Sequence, residues 1–192
     1  MSHCPETENC DPRAICQALG IAVEAVEARG LRLYPAAERL AVADVDRNGR
    51  PFFMTPAAGR AWQAMKAAAA ADGVEIYLIS AYRSVARQAE LIRAKLDAGA
   101  AIGDILTVLA PPGYSEHHTG RAVDLTCPDA PAVQLGFELT AAFAWLQANA
   151  DRFGCVMSYP PGNASGYQYE PWHWCFRESE EDLWLEKISG AV

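Results

Sequence analysis

The sequence predicts an α+β fold, with helices packed on a small, mostly antiparallel sheet. Three observations carry this. Helical and strand-like segments are interspersed without the repeating period that builds a parallel sheet. Asn48-Gly49 marks a tight turn between two strand-like runs. A loop rich in Pro, Gly and Ser, residues 160–166, separates two further strand-like runs. At 192 residues the chain is long enough for one well-buried core, or one domain plus a short appendage. It contains no visible internal repeat.

Residues 1–30 read as an N-terminal appendage and residues 31–192 as the main domain. Pro12 to Leu19 and Ile21 to Arg29 each suit a short helix, parted by Gly20 and closed at Gly30. Leu31 to Val45 is strand-like in part, interrupted by Pro35, and Pro51 to Met54 returns after the Asn-Gly turn. Thr55 is an N-cap and Pro56 a first helical position, opening a helix that runs to about Asp72 and stops at Gly73. Val74 to Ser80 reads as a buried strand. Ser84 caps a helix from Val85 to Ala98, and Ile102 to Leu109 suits a shorter one. Ala122 to Leu125 is a short strand, and Leu139 to Arg152 an amphipathic helix stopped by Gly154. Cys155 to Tyr159 and Trp172 to Phe176 are the strands beside the 160–166 loop. Ser179 to Ile188 is the expected closing helix, with acidic residues in its first turn as the helix dipole prefers.

Composition excludes several functions. The 51% hydrophobic and 21% charged content is that of a globular chain and argues against disorder. A net charge of −8 without any basic tract argues against nucleic-acid binding and against attachment to anionic lipid. No apolar stretch approaches the ~20 residues of a membrane span. The polar segment Met1 to Arg13 has no charged start followed by an apolar core, so no signal peptide is visible. A soluble monomer is the expectation. Six cysteines permit fifteen pairings, and spacing does not choose among them. Their clustering suggests pairing in an oxidising compartment. Buried unpaired thiols are one alternative. A metal site from His3, Cys4, Cys10 and Cys16, which lacks CxxC spacing, is another.

Three of the four histidines fall in two segments, Ser115 to Asp124 and Glu170 to His173. A hydrolytic zinc site needs three protein ligands, an open position and a general base. His117, Asp124 and His173 supply such a ligand set, with Gly120 allowing the turn between the first two. Adjacent residues in an extended segment point apart, so one of His117 and His118 faces away; His117 is the ligand of this reading. Asp124 shares a strand face with the small Ala122, which leaves room for a metal. Pro171 forbids a regular central strand, and a local turn there brings Glu170 beside the metal as general base. A turn carboxylate at Asp124 and a solvated surface Glu170 are the plain alternatives. Asp44-x-Asp46-x-Asn48-Gly49 looks like the start of a calcium loop. Its twelfth position is Thr55 rather than Glu, and the hairpin reading is simpler.

Ser115 to Asp124 fits the pattern Ser-x-His-x-x-Gly-x-Ala-x-Asp, and Glu170, Trp172 and His173 fit Glu-x-Trp-His. Ser80-Ala81-Tyr82-Arg83-Ser84 precedes a helix bearing Gln88. Trp145 to Ala150, Phe153-Gly154 and Gly166 to Tyr169 complete the series. In this order the motifs resemble the D-alanyl-D-alanine carboxypeptidase and dipeptidase family of zinc peptidases, the vancomycin-resistance-type cell-wall enzymes, over about Ala58 to Phe176. The resemblance implies a hedgehog- and D-Ala-D-Ala-peptidase-like fold with its zinc site on the sheet. It implies Zn2+ bound by His117, Asp124 and His173, Glu170 as catalytic base, and Arg83 as the stabiliser of the oxyanion. Ser115 and Tyr82 would shape the peptide pocket. Gln88 would hold a backbone or substrate carboxylate, with a surface role as the alternative, and Trp172 and Trp174 would pack and orient the ligand loop. The implied activity is D,D-carboxypeptidase action on peptidoglycan stem peptides, in the periplasm or cell envelope. L,D-carboxypeptidase, dipeptidase or endopeptidase action, or a non-catalytic peptide-binding role, are the alternatives. The family often places Arg where Ser158 precedes Tyr159-Pro160 here, which leaves specificity open.

Overall fold

Two antiparallel sheets organise the chain in the computed structural model, which describes residues 11–128, 130 and 133–177. The first is the expected hairpin, β1 (Ala41–Val45) and β2 (Pro51–Met54). Gly49 takes a φ of +79°, which the turn requires, and the Asp46 carboxylate accepts from the Asn48 and Arg50 backbone N–H groups at 2.9 Å each. Asp44 accepts from Trp62 Nε1 at 3.0 Å and Lys66 Nζ at 2.6 Å. Both aspartates of the calcium-like motif therefore serve the hairpin and its neighbouring helix.

That helix, α3 (Pro56–Ala71), is capped by Thr55, whose Oγ1 accepts from the Ala58 N–H. It buries Trp62, Met65 and Ala69 completely. The second sheet has the order β3 (Tyr77–Ser80), β4 (Ala122–Thr126), β6 (His173–Phe176), β5 (Cys155–Met157), every neighbouring pair antiparallel. With α6 (Ala141–Asn149), these elements enclose the main core, in which Leu125, Leu146, Phe137 and Phe176 are almost fully buried.

A second core lies beside it. α1 (Pro12–Ala18) and α2 (Val23–Ala28) pack Cys16, Ile21, Val23 and Val26 against Ala89 and Ile92 of α4 (Val85–Asp97), Ile105 of α5 (Ile102–Ile105) and Tyr114. Residues 11–30 are thus seated on α4.

Several boundaries differ from expectation. The strand expected from Val74 begins at Tyr77, because the Val74 N–H still bonds to the Ala69 carbonyl of α3. The helix expected over Ile102 to Leu109 ends at Ile105 and continues as turns. α6 begins at Ala141 rather than Leu139, because Thr140 Oγ1 accepts from the Phe143 N–H as an N-cap. A 3₁₀ turn over Ala150–Phe153 then finishes the expected helix. The closing helix at 179–188 lies outside the described residues. Cys16, Cys127, Cys155 and Cys175 are free thiols, so the expected pairing does not occur among these four. Cys4 and Cys10 lie outside the described residues, as does the metal site suggested around them.

Candidate metal centre

Sheet register brings the chemistry together. In the antiparallel ladders Asp124 of β4 lies opposite Ser80 of β3 and opposite His173 of β6. Paired residues share a sheet face, so these three side chains form one row across the sheet. His173 Nδ1 lies 3.1 Å from Asp124 Oδ1.

His117 arrives from outside the sheet. Its segment is not extended, as expected, but a 3₁₀ turn over Glu116–Thr119, capped by the Ser115 hydroxyl, which accepts from the His117 N–H at 3.4 Å. Gly120 ends the turn at φ +66°; an added Cβ would come within 3.0 Å of Leu40 and 3.2 Å of the Thr55 nitrogen. Glycine is therefore required both for the left-handed backbone and for the close approach. His117 Nδ1 donates to the Ala81 carbonyl at 2.7 Å, which leaves Nε2 bare, 3.3 Å from Asp124 Oδ2. His118 is turned away for a different reason from the one expected of an extended segment. Its Nδ1 donates to the Arg83 carbonyl at 2.6 Å and its Nε2 accepts from the Gly113 N–H at 3.0 Å, so neither nitrogen is free for a metal.

One ligand atom each from His117, Asp124 and His173 lies within 4.8 Å of the others, and all three residues are buried. Two imidazole nitrogens and one carboxylate oxygen suit a divalent metal with positions left open. Glu170 stands next to them. A turn at Pro171-Trp172, with the His173 N–H bonding the Glu170 carbonyl at 3.0 Å, sets Glu170 Oε2 4.0 Å from His173 Nδ1.

Arg83 approaches Asp124 Oδ2 at 3.5 Å. Its guanidinium is aligned by Ser80 Oγ at 3.0 Å and Gln88 Oε1 at 2.9 Å. Gln88 is fully buried, and its amide nitrogen donates to the Ala110 carbonyl at 2.7 Å. Both of its ends are thus engaged with the protein. A cleft of about 670 Å³ opens on the site, and Arg83, Ser115, Tyr159, Tyr167 and Trp172 contribute to its lining. Tyr82 is half-buried, donating its N–H to the Phe53 carbonyl at 3.0 Å. Trp174 is buried, donates to the Pro171 carbonyl at 2.9 Å and packs on Phe143, so it braces the ligand turn.

Burial opposes charge throughout, and pairing decides the result. Burial would raise Asp124, but His117 and His173 hold it well below the carboxylate range. Burial pushes His117 down against the pull of Asp124. His173 goes the other way: burial opposes its charge, yet hydrogen bonds to Asp124 and Glu116 raise it to about 10. Burial pushes Glu170 up to about 7, although His173 draws it back. Burial takes His118 down to about 4.

Three contributors were not singled out from the sequence. Glu116 Oε2 lies 3.1 Å from His173 Nε2; burial would raise this carboxyl, but the His173 contact brings it down to about 2. Tyr159 stacks on the His173 ring at 4.6 Å, and Tyr167 packs edge-on against Tyr159 at 4.9 Å. The available signal was positional: Glu116 lies inside the histidine motif, and the tyrosines precede Glu170 within the resemblance.

The model of the VanY family, D-alanyl-D-alanine carboxypeptidases, matches residues 52–179. A D-alanyl-D-alanine carboxypeptidase of Enterococcus faecalis is 35% identical over 117 residues, 56% of this chain and 42% of the relative. The chain spans less than half the length of the curated relatives it matches. The LdcB LD-carboxypeptidase superposes with a TM-score of 0.65 at 26% identity, over 80% of this chain and 75% of that one. A vancomycin-resistance D,D-pentapeptidase VanY, solved as a variant in complex with Zn(II), gives 0.61 at 27% identity, over 81% and 89%. With the family match covering more than half of its length, the chain belongs to the VanY family of D-alanyl-D-alanine carboxypeptidases.

Proposed function

We propose that this chain is a zinc-dependent D,D-carboxypeptidase that removes the terminal D-alanine of peptidoglycan stem peptides, acting at the cell envelope where that substrate lies. The observation that carries the reading is the buried His117–Asp124–His173 cluster with Glu170 beside it and Arg83 facing Asp124.

His117 through Nε2, His173 through Nδ1 and the Asp124 carboxylate would hold the metal. Zinc, when bound, supplies Lewis acidity and makes water a nucleophile near neutral pH. To hold it, His173 would present Nδ1 without a proton and keep the proton on Nε2. Glu170 takes a proton from the attacking water and delivers it to the leaving amine as the C–N bond breaks. Its carboxyl stands 4.0 Å from His173 Nδ1, within reach of a water held at the cluster. Arg83 offers its guanidinium to the oxyanion that develops on the scissile carbonyl. Ser80 and Gln88 hold that guanidinium in place, so little reorganisation is needed as charge appears. Tyr167 lines the cleft and packs edge-on against Tyr159, which stacks on His173. Ser115, on the same cleft, shapes the peptide pocket.

The test is D-alanine release from a muropeptide pentapeptide. The native protein releases it. Glu170→Gln retains zinc but loses roughly 10²–10⁴-fold in kcat, the range for removing a general base. A zinc-loaded native protein that turns over no stem peptide overturns the proposal. The likeness to LdcB favours L,D-carboxypeptidase action as a second reading. Preference for a tetrapeptide over a pentapeptide would select it.

A further inference from the structure

His173 is held at both edges and on one face. Its Nδ1 faces Asp124 at 3.1 Å, its Nε2 meets Glu116 Oε2 at 3.1 Å, and Tyr159 stacks on the ring at 4.6 Å and 26°. Glu116 is itself pinned. Its Oε1 accepts from the Tyr34 hydroxyl at 3.3 Å, and the Ser158 side chain supplies a further hydrogen bond. Tyr34 is fixed in turn, its N–H donating to the Gly113 carbonyl at 2.8 Å and its ring lying 4.9 Å beneath the Arg32 guanidinium.

An imidazole that gives one nitrogen to a metal must keep its proton on the other, and that proton needs an acceptor. A carboxylate acceptor fixes the tautomer and the ring orientation and makes the ligating nitrogen more basic. The two histidines of the centre differ here. His117 rests its far nitrogen on a neutral carbonyl, that of Ala81, whereas His173 rests its own on a carboxylate. Ser158, at the position where the family often places arginine, contributes to holding that carboxylate.

We infer that Glu116, held by Tyr34 and Ser158, is a positioning residue for the metal: it keeps the proton of His173 on Nε2, turns Nδ1 toward the metal, and thereby sets zinc affinity. The inference rests on the reading of His173 as a zinc ligand. Tyr34 lies outside the residues matched by the family model, so a segment preceding the matched region supports the centre.

The experiment is a zinc titration of the full chain against a chromophoric chelator, with melting of the metal-free protein alongside. Glu116→Ala is expected to weaken zinc about 10- to 100-fold, the usual effect of losing such a partner. Glu116→Gln keeps an oxygen that accepts from Nε2 and recovers most of that loss. Tyr34→Phe removes one hydroxyl and weakens zinc by roughly the few-fold expected of one hydrogen bond. A merely structural role would lower the metal-free melting temperature of Glu116→Ala and leave the zinc affinity of the folded protein as in the native chain. That result overturns the inference, as does a Glu116→Gln that binds no better than Glu116→Ala. His173→Ala separates the premises. If it binds zinc like the native protein, the ligand reading falls and this inference with it. If the native protein binds zinc tightly but releases no D-alanine, only the hydrolase proposal falls.

Discussion

Arg83 is caught between two demands that only its residue type meets. It must keep its charge in a site where burial pushes its pKa down, and Asp124 and Glu170 offset part of that loss. It must also present a flat fork, because one nitrogen bonds Gln88 while another reaches Ser80 and Asp124. Lysine keeps the charge but has no fork. Arg83→Lys is therefore expected to lower kcat about 10²–10³-fold, in line with losing one preorganised oxyanion donor, while zinc affinity changes little. An equal loss in zinc affinity would assign Arg83 to metal binding instead. Arg83, His117, Asp124 and His173 lie in motifs of fixed spacing, and the structure brings them together. The sequence did not disclose that Gln88 would be fully buried beneath Arg83. A polar residue on a helix face shows neither its partner nor its burial until the next segment, here Ala110, is placed against it.

At the level of elements, the hairpin and α3 are joined by one carboxylate. Burial raises Asp44, but hydrogen bonds from Lys66, Trp62 and the Val45 N–H outweigh this and hold it below its ordinary value. A depressed native value means that its stabilisation is complete above the unfolded carboxylate pKa and disappears as pH falls through the native one. Asp44→Ala is expected to cost about 1–3 kcal/mol at neutral pH, because it leaves a buried indole N–H and an ammonium unpaired. The gap from the native protein should narrow as pH falls below about 4. Urea unfolding at several pH values measures it, and a gap constant down to acid pH would remove Asp44 from this role. The same elements show which boundaries residue type alone makes legible. Thr55 and Ser84 cap through local hydrogen bonds that follow from residue type, and both helices begin where expected. Ile102 to Leu109 includes Gly103, Thr107 and Val108, which favour helix weakly, so local preference does not fix where the helix stops. Its end at Ile105 depends on where Gln168, distant in sequence, bonds the Thr107 carbonyl. Contacts of that range leave no local trace.

Across the whole molecule, the cleft lies where the two cores meet, and one side chain ties its walls. Arg29, just after α2, donates to the Leu106 carbonyl at 3.0 Å and to the Ser165 carbonyl at 3.1 Å, and lies 5.1 Å over the Tyr167 ring. One wall of the cleft follows Leu106, with Val108 and Leu109; the other follows Ser165, with Tyr167 to Glu170. The walls also bond each other directly, the Gln168 N–H donating to the Thr107 carbonyl at 2.9 Å. The helical pair at 12–28, outside the family match, is thereby linked to the segment that carries Glu170. Arg29→Ala removes two charge-assisted hydrogen bonds, each worth about 1.5–3 kcal/mol where the group is well desolvated and less at this half-exposed position. Looser walls hold the peptide less well without altering the ligands, so KM for the stem peptide should rise several-fold while zinc affinity stays native. Hydrogen exchange at residues 165–170 should speed by about tenfold for each 1.4 kcal/mol of local stability lost. That second measurement does not depend on which peptide the enzyme accepts. Unchanged exchange across 165–170 in Arg29→Ala would mean that the Thr107–Gln168 bonds hold the walls alone, and that the N-terminal helices do not buttress the cleft.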